Sequence, residues 1–176
     1  MKSAATEIVV THMNVAASAQ PVWNSLMFYE SVEGVPPLHL RLLLPRPIRT
    51  QGSKSNVGDH ATCLYHGGHL LKRVTTIERN RRYEFTVVEQ NLAVGIGVRL
   101  WGGCYSLRTL PDDRTELSIT THYSSSNRPR WLVRPVEAAV CHMFHRYLLG
   151  AIRRKAQAGI QLQAPETVPD RSSHSG

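Results

Sequence analysis

From Val57 onward, apolar and polar side chains alternate in one segment after another, and the pattern changes to a helical repeat only in the last long element. Tyr83, Phe85 and Val87 alternate with Glu84, Thr86 and Val88. Leu117, Ile119, Thr121 and Tyr123 share one face of a later segment. Period two of this kind marks strands with one buried face. The pattern predicts strands at Val57 to Tyr65, His69 to Glu78, Tyr83 to Gln90, Val98 to Leu110 and Thr115 to Ser124, preceded by a β-branched strand from Glu7 to Val15. His66-Gly67-Gly68, Asn80-Arg81-Arg82 and Pro111-Asp112-Asp113-Arg114 supply the turns between them. Connections this short join neighbours antiparallel, so the run reads as a meander.

Two helices complete the pattern. Ser18 is placed to cap a short one over Pro21 to Phe28, which buries Val22, Trp23 and Leu26. The long one runs from Pro129 to Ala156. At about 100° per residue it carries Val133, Val136, Val140, Phe144, Tyr147 and Ala151 on one face. The expected class is α+β: a curved antiparallel sheet wrapped around a long C-terminal helix, with a cavity between them. Residues 7–156 form the expected domain, residues 1–6 an N-terminal arm and residues 157–176, rich in proline and serine, a disordered tail. Between Gly34 and Ser55, Pro36, Pro37, Pro45 and Pro47 surround an apolar run from Leu38 to Leu44, which places a flap over the cavity mouth.

Composition narrows the partners. The formal net charge of +8 comes almost wholly from arginines dispersed in small clusters, with Lys2, Lys54, Lys72 and Lys155 the only lysines. No nucleic-acid module accompanies the charge, which disfavours nucleic acid and leaves a weak contact with an anionic membrane surface. Cys63, Cys104 and Cys141 form no disulfide framework, and the first residues do not read as a secretory signal, so the expected location is cytoplasmic. A homodimer is the ordinary expectation for a small domain.

The order of certain short motifs resembles the START/Bet v 1-like superfamily, also called SRPBCC, which includes the polyketide cyclase/dehydrase and lipid transport proteins. They are Val15-Ala16-Ala17-Ser18-Ala19-Gln20-Pro21-Val22-Trp23 at the entry to the first helix, Val57-Gly58-Asp59, Tyr83-Glu84-Phe85, and Gly103-Cys104-Tyr105-Ser106-Leu107 before the Pro-Asp-Asp turn and Thr115-Glu116-Leu117. The chain departs from the common pattern at Ser18, where many relatives carry proline, and in its proline-rich insertion. The resemblance implies a helix-grip fold with a deep pocket between sheet and helix. It implies no single activity, since members bind lipids, hormones or polyketides, catalyse cyclisation or hydrolysis, or act as co-chaperones.

Candidate chemistry is sparse. Glu137 projects on or beside the apolar helix face, either as a ligand anchor and general base or as the partner of a structural arginine. Glu89, Arg99, Trp101, Tyr105, His122 and Tyr123 stand on alternating segments and are candidates for the cavity, with Glu89 and Arg99 on neighbouring strands suited to a cross-strand pair. The expected ligand-binding set is Glu137, Arg99, Glu89, Trp101, Tyr105 and Tyr123. Nine histidines raise a metal site, but His66 with His69 and His142 with His145 lack further ligands, so they read as surface or boundary residues and no metal or cofactor is expected. Phosphate-binding loops and a serine-nucleophile elbow are absent from the sequence, and the cysteines read as inert. The leading expectation is the binding of a hydrophobic or amphipathic small molecule. A cyclase/dehydrase-type enzyme using acid and base residues in the same cavity is the alternative, and a protein-interaction module built on the flap or the basic helix end is a third.

Overall fold

The fold was analysed in a computed structural model that describes residues 6–27, 47–92 and 97–161. Seven strands form one antiparallel sheet: β1 (Glu7–Val15), β2 (Pro47–Gly52), β3 (His60–Tyr65), β4 (Gly68–Glu78), β5 (Arg82–Asn91), β6 (Val98–Leu110) and β7 (Arg114–Ser125). Their spatial order is β1-β7-β6-β5-β4-β3-β2, a meander from β2 to β7 closed by β1 on β7. Helix α1 (Ala19–Met27) follows β1, and the long α2 (Arg130–Gln161) follows β7. Helix α2 packs on α1, β1 and β7. The curved sheet and its C-terminal helix are those expected of a helix-grip architecture.

The core forms where α2 meets the sheet. Val15, Leu117, Ile119 and Leu107 from the strands close on Val22, Trp23 and Leu26 of α1 and on Leu148, Leu149, Ile152 and Ala156 of α2. Thr115, fully buried, donates from Oγ1 to the Ala17 carbonyl at 2.8 Å and ties β7 to the entry of α1. This bond satisfies a carbonyl that burial would otherwise leave unpaired.

Four features differ from the sequence expectation. Segment Pro47–Gly52, inside the region read as a flap, is an edge strand on β3, where Pro47 at the first position costs no ladder bond. Strand β3 starts at His60 instead of Val57, because the Asp59 carboxylate accepts from the backbone amides of Ser55 and Asn56 and holds that stretch as a turn. Helix α2 continues past Ala156 to Gln161. Its buried stripe is also rotated: His145, Leu148, Leu149, Ile152 and Ala156 face the core, Phe144 and Tyr147 border it, and Val136 is 60% exposed. The first turns of α2 meet the sheet through polar contacts of Arg130, Arg134 and Glu137 and leave Trp131, Leu132 and Val136 exposed, so their valines do not set the buried face. The run Leu38 to Leu44, Phe28 and most of the expected tail lie outside the described residues. Among the described residues, no helix is long and apolar enough to cross a membrane.

Candidate functional site

Residues paired across an antiparallel ladder point to the same face, so the register identifies the inner wall of the sheet. Val74 pairs with Phe85, Lys72 with Val87 and with Ala61, Leu70 with Cys63, and Tyr83 with Tyr105. Val74 and Tyr83 belong to the core, which places this set on the face toward α2. Tyr83 packs against both Phe85 and Tyr105 with ring centroids 6.4 Å apart in each pair. Gly103 faces Phe85 across the ladder. A β-carbon there would stand 3.0 Å from Phe85 Cζ and 2.9 Å from the Thr120 carbonyl, so the glycine leaves room for the ring.

In the middle of this wall stands Lys72. Its Nζ lies 4.5 Å from the centroid of the Phe85 ring, a cation–π contact. Burial works against its charge, but the negative charge that Tyr65, Cys63, Tyr105 and Tyr83 would develop on ionising works for it and holds the ammonium above its ordinary range. Burial in turn pushes the phenols up, Tyr83 to about 12 and Tyr65 and Tyr105 likewise upward, with Lys72 opposing the rise. At neutral pH the phenols around it are therefore neutral. Among the described residues no carboxylate forms an ion pair with it. Cys63, Tyr65, Lys72, Phe85 and Tyr105 all keep part of their surface accessible although Lys72, Tyr65 and Tyr105 are strongly desolvated. Helix α2 packs on β1 and β7, and these side chains stand on the inner face of β3 to β6 beside it.

A second polar cluster lies where α2 crosses β1 and β7. His145, 1% exposed, has Nδ1 2.9 Å from Thr11 Oγ1 and Nε2 2.8 Å from Thr121 Oγ1, with Cys141 Sγ 3.4 Å from Nε2. Thr11 Oγ1 also lies 2.8 Å from His142 Nδ1. Burial, with a smaller push from His142, lowers the pKa of His145 to about 4, and burial raises that of Cys141 to about 11. The histidine is neutral and fully engaged, a correction to its reading as a boundary residue. It follows from the rotated helix face. No group of three or more His, Cys, Asp or Glu suited to a metal occurs among the described residues.

The residues singled out in the sequence fall in several places. Glu137 accepts from Ser125 Oγ at 2.6 Å, from Asn127 Nδ2 at 3.1 Å and from Arg130 Nη1 at 2.9 Å. Burial opposes its charge, but these three donors hold its carboxyl below the usual range. Arg130 and Arg134 continue the network to Glu7, at 3.0 and 2.8 Å. Tyr123 is buried beside the same network, where burial and the Glu137 charge raise its pKa. Arg99 stacks on Trp101 at 4.4 Å, and Trp101 Nε1 donates to Ser124 Oγ at 3.0 Å. Arg99 pairs with Ser124, the neighbour of inward Tyr123, so this stack lies on the outer face. Glu89 is also outside, 3.2 Å from His69 Nε2. The expected Glu89–Arg99 pair is not made, because the β5–β6 ladder ends at Thr86 and Gly102 before reaching either residue. Of the six, Tyr105 alone stands with Lys72. The sequence reading passed over Lys72 itself, although Leu70, Lys72 and Val74 alternate in one phase and so put a lysine on an apolar face.

No family model and no curated protein sequence matches the chain. Solved structures do match its shape. The Zhui aromatase/cyclase of Streptomyces sp. R1128 superposes with a TM-score of 0.65 at 16% identity, over 91% of this chain and 99% of that one. A norcoclaurine synthase point mutant of Thalictrum flavum, in complex with a transition-state analogue, gives 0.61 at 16% identity over 91% and 99%. A START superfamily protein of Mycobacterium smegmatis gives 0.60 at 14% identity over 86% and 97%. Sheet order, the placement of α2 and these likenesses agree that the chain has the helix-grip fold of the START/Bet v 1-like superfamily.

Proposed function

We propose that this protein binds a hydrophobic or amphipathic small molecule in the hollow between β3 to β6 and α2. The observation that carries the reading is the inner wall itself, where Cys63, Tyr65, Phe85 and Tyr105 present free but desolvated surface around Lys72. An apolar wall with a few convergent polar groups is the usual composition of a small-molecule site: the wall supplies affinity and the polar groups orientation. Solved proteins of the same fold include a START superfamily protein and a synthase held with a transition-state analogue, which supports a ligand in this space. Native mass spectrometry of the purified protein, followed by denaturing extraction, should find about one apolar molecule per chain, as in a closed site of this kind. If no molecule co-purifies and a neutral fluorescent probe such as N-phenylnaphthylamine shows no saturable binding, the reading fails.

An enzyme of the cyclase/dehydrase type is the second reading, favoured by the convergence of one ammonium and three phenols on the same space. Those groups are hydrogen-bond donors at neutral pH, suited to stabilise an enolate oxygen as charge develops on it. The aromatase/cyclase among the structural neighbours makes polyketide-like substrates the first to try. Turnover of such a substrate, abolished in Lys72→Met, would favour catalysis over storage.

A further inference from the structure

We infer that the ligand is an acid: an amphipathic molecule whose anionic head, a carboxylate or an ionised phenol or enol, seats on Lys72 while its apolar body lies along Phe85, Tyr83 and Tyr105. The inference rests on the ligand-binding reading above and deepens it.

A charged ammonium withdrawn from water is costly unless an opposite charge meets it. Elsewhere the described chain meets that requirement. Arg130, the part-buried cation at the start of α2, has Glu137 and Glu7. Among the described residues Lys72 has the face of Phe85 and the phenols beside it and no carboxylate partner. A phenyl face offsets a fraction of the charge, and phenol oxygens offer dipoles without a counter-charge. Among the described residues the groups that face Lys72 are Cys63 and Tyr65 from β3, Tyr83 and Phe85 from β5 and Tyr105 from β6, and none is a carboxylate. The missing negative charge is the ligand's. The three hydroxyls add neutral donors around the same head, which suits an oxygen anion with several lone pairs.

Two dyes of nearly the same shape separate charge from apolar burial: anilinonaphthalene sulfonate, which is anionic, and N-phenylnaphthylamine, which lacks the sulfonate. Both should bind the full-length protein, compete with each other, and fluoresce on entering the hollow. Lys72→Met keeps the apolar stem and removes the charge. It should weaken the sulfonate by about tenfold or more, the worth of one charge-assisted hydrogen bond, and leave the neutral dye within about twofold. Lys72→Arg, which restores the charge, should recover most of the sulfonate affinity. Binding of the neutral dye to each variant shows that the hollow is intact. If the neutral dye binds wild type and Lys72→Met alike and the sulfonate affinity does not change either, the acid is refuted while the container stands. If neither dye binds the wild type, the container fails and the acid with it.

Discussion

Two polar clusters stand on the inner side of this sheet, one under α2 on β1 and β7 and one on β3 to β6, and they are built on opposite terms. Under α2, His145 has both ring nitrogens within hydrogen-bond distance of threonine hydroxyls, and the imidazole itself is withdrawn from solvent. Under β3 to β6, Lys72 has no carboxylate partner among the described residues and lies in side chains that keep free surface. A satisfied buried network specifies packing. An unsatisfied one withholds stability from the empty protein and returns it when a ligand arrives. The Glu137 network belongs with the first kind: three donors and a continuing arginine pair leave that carboxylate little capacity for a ligand.

The contrast predicts opposite signs for stability. His145→Ala should cost on the order of 3 kcal/mol by chemical denaturation, from the volume lost and from the hydrogen bonds of both ring nitrogens to Thr11 and Thr121, with dye binding in the hollow unchanged. A loss below 1 kcal/mol would place His145 outside the structural class. The same residue sets an acid sensitivity. Its pKa falls from 6.5 to about 4 on folding, so the unfolded chain takes up the proton more readily. Its contribution is full above pH 6.5 and is lost as pH falls toward 4, up to roughly 3 kcal/mol by linkage. His145→Leu should flatten the stability profile between those pH values; a slope as steep as wild type would assign the sensitivity to other groups.

Glu137→Gln comes next in size. It weakens charged hydrogen bonds to Arg130 at the start of α2 and should cost about 1 to 2 kcal/mol at pH 7. Its folded pKa is lowered, so this stabilisation is present above the unfolded value of 4.5 and disappears as pH falls through the folded one. Dye affinity between pH 5 and 9 should not follow the substitution, and a change there would return Glu137 to the ligand. Lys72→Met should have the opposite sign, raising stability by about 1 kcal/mol as an uncompensated charge is replaced by an apolar stem. A large loss would mean that Lys72 is structural. Smallest of all, Arg99→Ala on the outer face should stay within about 0.5 kcal/mol and leave both dyes unaffected, since exposed cation–π pairs contribute little.

The sequence alone determined most of the scaffold. Strand β1, the hairpin at His66-Gly67, the Pro111-Asp112-Asp113 turn and the antiparallel order all follow from local rules, because alternation and turn chemistry are properties of a few adjacent residues. Period two also marked Tyr105 as a wall residue. The contents of the wall depended on contacts that no local pattern records. Register shifts between Leu71 and Lys72 in β4 and between Leu100 and Gly102 in β6 change which side chains share a face beyond them, and they arise from pairing with strands distant in sequence. Helix α2 shows the same division. Its existence was legible, but its buried side was set by which turns reach the sheet, and that turned His145 inward and Val136 out. Lys72 was decided last. One lysine in phase with Leu70 and Val74 is an ordinary strand residue until the fold brings Tyr65, Tyr83, Phe85 and Tyr105 around it and, among the described residues, no carboxylate with them, because the charge balance of a buried site is a sum over the whole assembly of strands.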